Sequence, residues 1–447
     1  MLRKFLLYIV NWRVWIFIVF IQLVFHAPLH AQVSSFYFRH LTSANGLSDG
    51  FVRDIVQDKY GFIWIGTSYG LNRFDGIAVK TYFSKANDSG SVINNLIQTL
   101  YVDKQGNLWI GTRQGLCRFD YSTNRFIRYN TSAPVSIIDI IQDGPGKIWV
   151  GTENGFMIVD DKKFSLQKLT VPGNITEQKK FVFPIRQIAA FSDNTWYIAT
   201  SHGIKIFNPL SSGLSEIRHD PLNKSSLSSD LVYSVAIAAN GYLWAACGYN
   251  GSVMEKIDLK KNTIQHYAHF INAAKKWSNN TIQRVLTGKK GKIWVISSYS
   301  GVSLYNETKD DFEDYASDPL VPNSLLANTN VAIYEDREGV IWLGTTGYGL
   351  SYFNPEKNFF NTIYPASAID NQVAETWARS VCEDKQGNLW LGTGRGLVKY
   401  DPVNRLFSTS LVNTDEEKRV IYYNSIRALL EDDNGDIWIG TAQGLNR

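Results

Sequence analysis

The residue types best suited to chemistry in this sequence are seven histidines and three cysteines. The cysteines, Cys117, Cys247 and Cys382, form no CxxC or Cys/His metal spacing, so we expect them to be small buried side chains. Only His266 and His269 have the spacing of a metal pair, and without an acidic or cysteine neighbour at ligand spacing they predict a solvated pair. No Gly-x-Ser-x-Gly motif and no Gly-rich ATP loop occurs. The sequence therefore predicts no catalytic site, no metal and no cofactor.

An aspartate followed three residues later by a glycine recurs along the chain. It occupies six positions: Asp58, Asp103, Asp143, Asp336, Asp384 and Asp432. Repeated carboxylates can bind calcium, but each of these is alone in its segment. Aspartate in a turn bonds its own backbone, and glycine accepts a positive φ there. We therefore interpret the six aspartates as turn residues.

Each turn belongs to a longer repeated unit, Asp-x-x-Gly-x-Ile/Leu-Trp-Ile-Gly-Thr-x-x-Gly-Leu, seen at residues 58–71, 103–116 and 384–397. Its aromatic position recurs every 40–50 residues, with tyrosine replacing tryptophan in the degenerate fourth copy: Trp64, Trp109, Trp149, Tyr197, Trp244, Trp294, Trp342, Trp390 and Trp438. This period is typical of a β-propeller, in which each unit supplies a four-stranded blade. We expect the aromatic side chains to be half-buried between neighbouring sheets, as core residues and not as a sugar-stacking surface.

The first copy illustrates the strands that we expect in every blade. Strands A to D are predicted at residues 51–57, 62–67, 71–75 and 79–83. Because strands A and B are joined by the aspartate turn, strands B and C by the x-x-Gly loop, and strands C and D by a second turn, the B–C loops and D–A linkers share one end of the blade.

Nine copies are too many for one propeller, which usually has at most about eight blades. We predict an all-β chain with a seven-bladed propeller at residues 36–354 and the start of a second propeller at 355–447; eight blades is the alternative. Phe36–Leu41 resembles a lone strand D that closes the last blade, which removes a free sheet edge. Phe359–Ile363 is expected to do the same for the second ring. That ring cannot close with two copies, so we expect a truncated reading frame or a fragment.

Residues 1–31 have the composition of an export signal. Arg3, Lys4 and Arg13 accompany the apolar run Val14–Phe25, and cleavage is expected after Ala31, although an uncleaved anchor remains the alternative. The segment has no acidic residue, so removing its three positive charges from the formal charge of +4 leaves +1. A near-neutral body argues against a protein that binds nucleic acid through bulk charge.

The repeat resembles the two-component regulator propeller repeat, and the resemblance covers residues 36–447. It implies the periplasmic sensor region of a hybrid two-component histidine kinase of Bacteroidetes that detects oligosaccharides and is anchored in the inner membrane. In that family two propellers precede an immunoglobulin-like domain, a membrane helix, a kinase, a receiver and often a DNA-binding domain. None of the domains that follow the propellers occurs in the 447 residues. The resemblance therefore implies a homodimeric sensor that is not itself an enzyme, binds no nucleic acid, and meets the membrane only through the signal segment or a missing C-terminal part. The fourth, fifth and sixth copies depart from the pattern, and Ala238 and Gly288 replace the turn aspartate in the last two.

The variable residues of the B–C loops are the candidate ligand-binding residues. They combine aromatic rings with amides and a guanidinium group, which suit the C–H surfaces and hydroxyl groups of a sugar. They are Tyr69, Arg113, Gln114, Glu153, Asn154, His202, Tyr249, Asn250, Tyr299 and Tyr348. Two alternatives stay open: an exported propeller enzyme acting on polysaccharide, and a secreted propeller that binds only proteins.

Overall fold

The protein is described by a computed structural model. The structure describes residues 32–34, 36–170, 179–191, 195–249, 252–268, 280–319, 323–356, 362–364, 378–394, 396–403, 406–408, 425–442 and 444–447. The chain divides into two compact units: one consists of residues 36–358, and the other of residues 1–35 with 359–447. The predicted signal segment, residues 1–31, lies outside the described residues.

Residues 36–358 form seven four-stranded antiparallel sheets. In the first blade, strands A to D are Val52–Gln57, Ile63–Thr67, Gly70–Phe74 and Val79–Tyr82, and in the second they are Ile97–Val102, Leu108–Thr112, Gly115–Asp120 and Arg125–Tyr129. In the third blade they are Asp139–Gln142, Ile148–Thr152, Gly155–Asp160 and Ser165–Lys168. In the fourth blade they are Ile185–Phe191, Thr195–Thr200, Gly203–Asn208 and Gly213–Ile217. In the fifth blade, strands A to D are Val232–Ile237, Tyr242–Cys247, Val253–Asp258 and Thr263–Tyr267. In the sixth blade they are Ile282–Thr287, Ile293–Ser297, Val302–Asn306 and Asp311–Tyr315. In the seventh blade strands A to C are Asn330–Glu335, Ile341–Thr345 and Leu350–Phe353, and strand D is Arg39–Leu41 from the N-terminus. Short 3-10 turns lie at Ser43–Asn45 and Lys289–Gly291.

The seven sheets form a closed ring. Strand A of each blade packs beside strand A of the next, and strand A of the seventh packs beside strand A of the first. The fold is therefore the predicted one, all-β with a seven-bladed propeller followed by the start of a second. Strands in the first blade differ from prediction by one residue at an end, as expected for boundaries read from a pattern.

The N-terminal strand completes the seventh blade, but it is shorter than predicted. Arg39–Leu41 pairs with strand C of that blade, Leu41 facing Leu350 and Arg39 facing Tyr352. The preceding residues are held by side-chain packing instead: Phe36 and Phe38 join the core between the sixth and seventh blades, against Phe353. The ladder therefore begins at Arg39 and not at Phe36.

In the seven-bladed ring the repeated aromatic residues lie between blades and are buried, not half-buried as predicted, whereas Trp390 and Trp438 in the other unit are partly exposed. Trp64 has no exposed surface and packs against Phe119 of the second blade, with ring centroids 4.8 Å apart. Its indole N–H can be buried because it donates to the Asp58 carboxylate at 2.7 Å. Tyr197 occupies the corresponding place between the fourth and fifth blades and is 7% exposed.

The turn before each strand B survives loss of its aspartate. In the first blade Asp58 accepts bonds from the backbone N–H of Tyr60 and Phe62, and Gly61 has φ +96°. In the fifth blade Ala238 retains only the backbone pair, its N–H donating to Tyr242 at 2.9 Å. The turn geometry therefore does not depend on the carboxylate.

The other unit contains one four-stranded and one three-stranded sheet. Their strands are Ala378–Glu383, Leu389–Thr393, Gly396–Asp401 and Leu406–Ser408, then Ile426–Glu431, Ile437–Thr441 and Gly444–Asn446. The strand predicted at residues 359–363 is described only from Thr362, and Thr362–Tyr364 pairs with Gln32–Ser34 in a separate two-stranded sheet. In its described part, this strand therefore does not complete either blade.

Candidate functional site at the mouth of the central channel

The B–C loops share one framework, which the threonine of the repeat provides. Thr67 donates its hydroxyl to the carbonyl of Gly70 and accepts the backbone N–H of Tyr69. The same pair of bonds holds Gln114, Asn154 and His202 in their blades. The buried threonine thus fixes the loop backbone and leaves the following side chain free to vary.

All the described candidate residues are exposed, as predicted for a variable loop ring. Tyr69, Tyr249, Tyr299 and Tyr348 each expose half or more of their surface. Asn250 lies outside the described residues.

A second set of side chains, which the sequence analysis missed, forms the centre of this face. The second residue of strand A lines the channel in six blades, and in the third blade Ile138, just before strand A, does so. We call these seven residues the mouth ring: Arg53, Gln98, Ile138, Arg186, Tyr233, Gln283 and Val331. In six blades this residue is a β-bulge that has no partner on strand B, as between Val52 and Asp54. A bulge turns a side chain away from the sheet, and here every bulge aims it at the same cavity.

The mouth ring surrounds a cavity of about 730 Å³. Glu153 and Asn154 reach it from the third B–C loop. Of the predicted loop residues, these two line the cavity directly; Tyr69, Gln114, His202, Tyr299 and Tyr348 are not part of its lining.

Two predicted loop residues border the mouth ring. The Tyr249 ring lies nearly parallel to the Tyr233 ring, with centroids 6.4 Å apart and 20° between planes. The guanidinium of Arg186 covers the Tyr233 ring at 4.7 Å. Arg113 lies near Arg53, whose pKa is lowered by burial and by the Arg113 charge. A flat aromatic and cationic surface therefore leads from the loop ring into the cavity.

Beneath the mouth ring lies an inner ring, made by the next residue of each strand A: Asp54, Thr99, Asp139, Gln187, Ser234, Arg284 and Ala332. Several of these side chains join neighbouring blades, since Asp54 accepts the N–H of Leu100 at 2.8 Å and Asp139 that of Ile188 at 2.6 Å. Burial raises the pKa of both carboxyl groups, that of Asp139 to about 6, while the charge of Arg284 opposes the rise. The channel thus carries acidic groups below a mouth that contains arginines.

A sequence signal for these residues exists. The second position of strand A holds arginine, glutamine or tyrosine in most copies, and a long polar side chain at this end of the innermost strand has only the channel to enter. Alternation along strand A does not reveal these residues, because the bulge interrupts the alternation.

One histidine was interpreted wrongly. His266 is not in a solvated pair: its Nδ1 lies 2.5 Å from Glu255 Oε2, and its Nε2 lies 2.9 Å from the carbonyl of Lys224. The register of strands C and D places Glu255 directly opposite His266, a neighbour that sequence spacing does not show. His269 lies outside the described residues. Within the part of the chain that is described, no three histidine, cysteine or acidic side chains come together as a metal site.

Comparison with known proteins identifies the repeat. A family model described as the two component regulator propeller matches residues 46–69, 91–114, 324–347, 373–395 and 423–443. The chain carries two-component regulator propeller repeats. The matched segments contain the first two and last three copies of the unit, while the third to sixth copies are not among them.

A curated protein and two solved structures are also similar to this chain. A 64-residue segment is 48% identical to Histidine kinase P4 of Formosa agariphila, covering 14% of this chain and 5% of that protein. The extracellular domain of a hybrid two-component system from B. thetaiotaomicron is similar in structure, with TM-score 0.67 and 22% identity over 92% of this chain and 53% of that one. Virginiamycin B lyase from Staphylococcus aureus is also similar, with TM-score 0.53 and 13% identity over 71% of this chain and 99% of that one. The region of similarity therefore covers 5% of the length of the kinase and about half of the length of the extracellular domain.

Among the described residues no helix is long and apolar enough to span a membrane.

Proposed function

We propose that this propeller chain is the extracytoplasmic, ligand-sensing region of a two-component signalling protein and that its ligand is an oligosaccharide. The cavity at the channel mouth is the observation that carries the proposal. Its volume of about 730 Å³ falls within the range of about 300–1,000 Å³ usual for small-molecule sites. All seven blades contribute to it, so a bound ligand would contact the whole ring at once.

The chemistry of the mouth favours a sugar. Tyr249 offers an exposed aromatic face to C–H surfaces, while Gln98, Gln283 and Asn154 offer amide donors and acceptors to hydroxyl groups. Gln283 is already oriented, because its amide donates to the Ser298 hydroxyl at 2.7 Å. A pre-oriented amide lowers the entropy cost of binding.

The sensing role is supported by the repeat family and by the likeness to extracellular domains of two-component systems. Export is supported by the basic and apolar composition of residues 1–31. We propose binding without cleavage, since a sensor must report the ligand that is present. The structural likeness to virginiamycin B lyase makes a propeller enzyme the rival to be tested alongside.

Calorimetric titration of the whole chain with plant, host and microbial oligosaccharides tests this function. We expect one class to bind with a dissociation constant on the order of micromolar, about −8 kcal/mol, and to be recovered intact by chromatography. Shortened or eliminated products would show that the rival enzyme is correct. Binding of no glycan at all would overturn the proposed ligand class.

Tyr249→Ala is the variant that locates the site. Loss of the exposed ring removes one stacking surface, and we expect about tenfold weaker glycan binding with an unchanged melting temperature. Tyr60→Ala is the matched control, because Tyr60 is as exposed as Tyr249 but lies on the A–B turn at the opposite end of its blade. Equal affinities for the two variants would place the glycan elsewhere.

A further inference from the structure

None of four arginines around the channel forms a direct ion pair among the described residues, although Asp49 lies near Arg53, and Asp54 and Asp139 lie near Arg284. Arg118, Arg125 and Arg218, on outer strands or beside them, each form an ion pair with an aspartate. By contrast, the four arginines around the channel form no ion pair within 4.0 Å in the described structure. They are Arg53, Arg113, Arg186 and Arg284. Arginine is strongly favoured where carboxylate or sulfate groups are bound in a bidentate manner.

Arg186 is the clearest of the four. Its Nε is buried and has no hydrogen-bond partner among the described residues. Its guanidinium is held over the Tyr233 ring at 4.7 Å, which orients the group at the cavity without satisfying its N–H donors. A buried donor that is left unpaired is unfavourable, so an acceptor supplied by a ligand would be stabilising.

The acidic groups nearby do not cancel these charges at the mouth. Glu153 lines the cavity from an exposed loop, and Asp49 is the acidic neighbour of Arg53. Asp54 and Asp139 lie one layer deeper, and burial raises the pKa of each, which favours their neutral forms. At the mouth itself Arg53, Arg113 and Arg186 therefore outnumber Glu153 and Asp49, while Arg284 lies in the deeper layer with Asp54 and Asp139.

We propose that the channel mouth binds an acidic oligosaccharide, with a carboxylate or sulfate group against Arg186 and a sugar ring against Tyr249. This deepens the proposed function and rests on it. Both anionic groups present planar or trigonal oxygen sets that accept two parallel N–H bonds from one guanidinium. Arg53 of the first blade and Arg284 of the sixth supply further positive charge to the same cavity.

Calorimetry with three tetrasaccharides tests the inference: a galacturonate, a sulfated galactan fragment and neutral galactotetraose. We expect at least one acidic ligand to bind ten times more tightly than the neutral one, and the difference to shrink between 50 and 300 mM NaCl as salt screens the charges. Arg186→Gln should remove most of the acidic preference. Arg39→Gln, at an exposed site on the outermost strand of the seventh blade, should leave it intact.

The possible results separate the two proposals. If the neutral ligand binds as tightly as both acidic ones, or Arg186→Gln keeps the preference, the acidic-ligand inference is wrong while oligosaccharide sensing stands. If none of the three binds and the wider glycan panel also fails, the proposed function is wrong as well. Should Arg186→Gln lose its native circular dichroism, Arg53→Gln, in the first blade and in the lining of the same cavity, provides a second test.

Discussion

At the scale of single residues, the aspartate–tryptophan pair is the main stabilising device of each regular blade. The indole N–H of tryptophan donates to the turn aspartate at 2.7–2.9 Å in all six copies that have both residues. One carboxylate oxygen closes the turn and the other satisfies the buried indole, as Asp103 does for Trp109. The repeat therefore couples turn formation to packing between blades.

Trp109→Ala and Tyr69→Ala should differ widely in stability. Trp109 is 2% exposed and packs between the second and third blades, so its truncation should lower the free energy of unfolding by about 3–5 kcal/mol. Tyr69 is 58% exposed, and its loss should change that free energy by less than about 0.5 kcal/mol. Urea unfolding of the whole chain followed by circular dichroism measures both, and equal midpoint shifts would contradict the assignment of these positions.

Asp139 predicts a pH dependence of stability. Burial raises its pKa from 3.8 to about 6, so the folded state binds this proton more tightly than the unfolded state. The free energy of unfolding from this group is therefore greatest below about pH 4 and falls as the pH rises through 6, by up to about 3 kcal/mol. In Asp139→Asn this contribution is absent, so the stability of the variant relative to wild type should rise between pH 4 and 7. A constant difference across that range would exclude the raised pKa.

At the scale of elements, one strand from the N-terminus determines where the ring closes. Arg39–Leu41 pairs with strand C of the seventh blade, and Phe38 donates its N–H to the Asn323 carbonyl at 3.0 Å. Without this strand, the seventh blade would expose a free edge, which is a site for non-native pairing.

Deletion of residues 36–43 should loosen the seventh blade selectively. Leu350–Tyr352 loses its backbone pairing with Arg39–Leu41, and the core beside Trp294 and Phe353 loses two phenylalanine rings. We expect faster hydrogen exchange in strands B and C of this blade, around Trp342, while the third blade around Trp149 serves as the internal control. Unchanged exchange near Trp342 would mean that the ring is closed elsewhere.

At the scale of the whole molecule, ring symmetry converts a repeated position into a site. Seven strands A meet around one axis, so a bulge that has little effect in one blade places seven side chains around a common cavity. The framework residues recur in most blades, whereas the mouth residues vary. Such a molecule can change ligand by single substitutions at the mouth without disturbing the threonine, aspartate or tryptophan positions that hold the blades.

The sequence by itself determined the repeat, the blade and the kind of residue that varies. Each depends on local chemistry: an Asp-x-x-Gly turn, a tryptophan at fixed distance from it, and a threonine before the B–C loop, as in Asp58, Trp64 and Thr67. These interactions join residues within a few positions of each other, so the pattern of residue types is enough to predict them.

Only the tertiary structure decided which variable residues converge. Arg53, Arg186 and Arg284 are far apart in sequence, and whether their side chains enter the channel depends on a bulge and on closure of the ring. The same holds for Glu255 and His266, which meet through strand register. Contacts of this kind depend on the relative placement of whole strands, to which many residues contribute, so no local spacing reveals them.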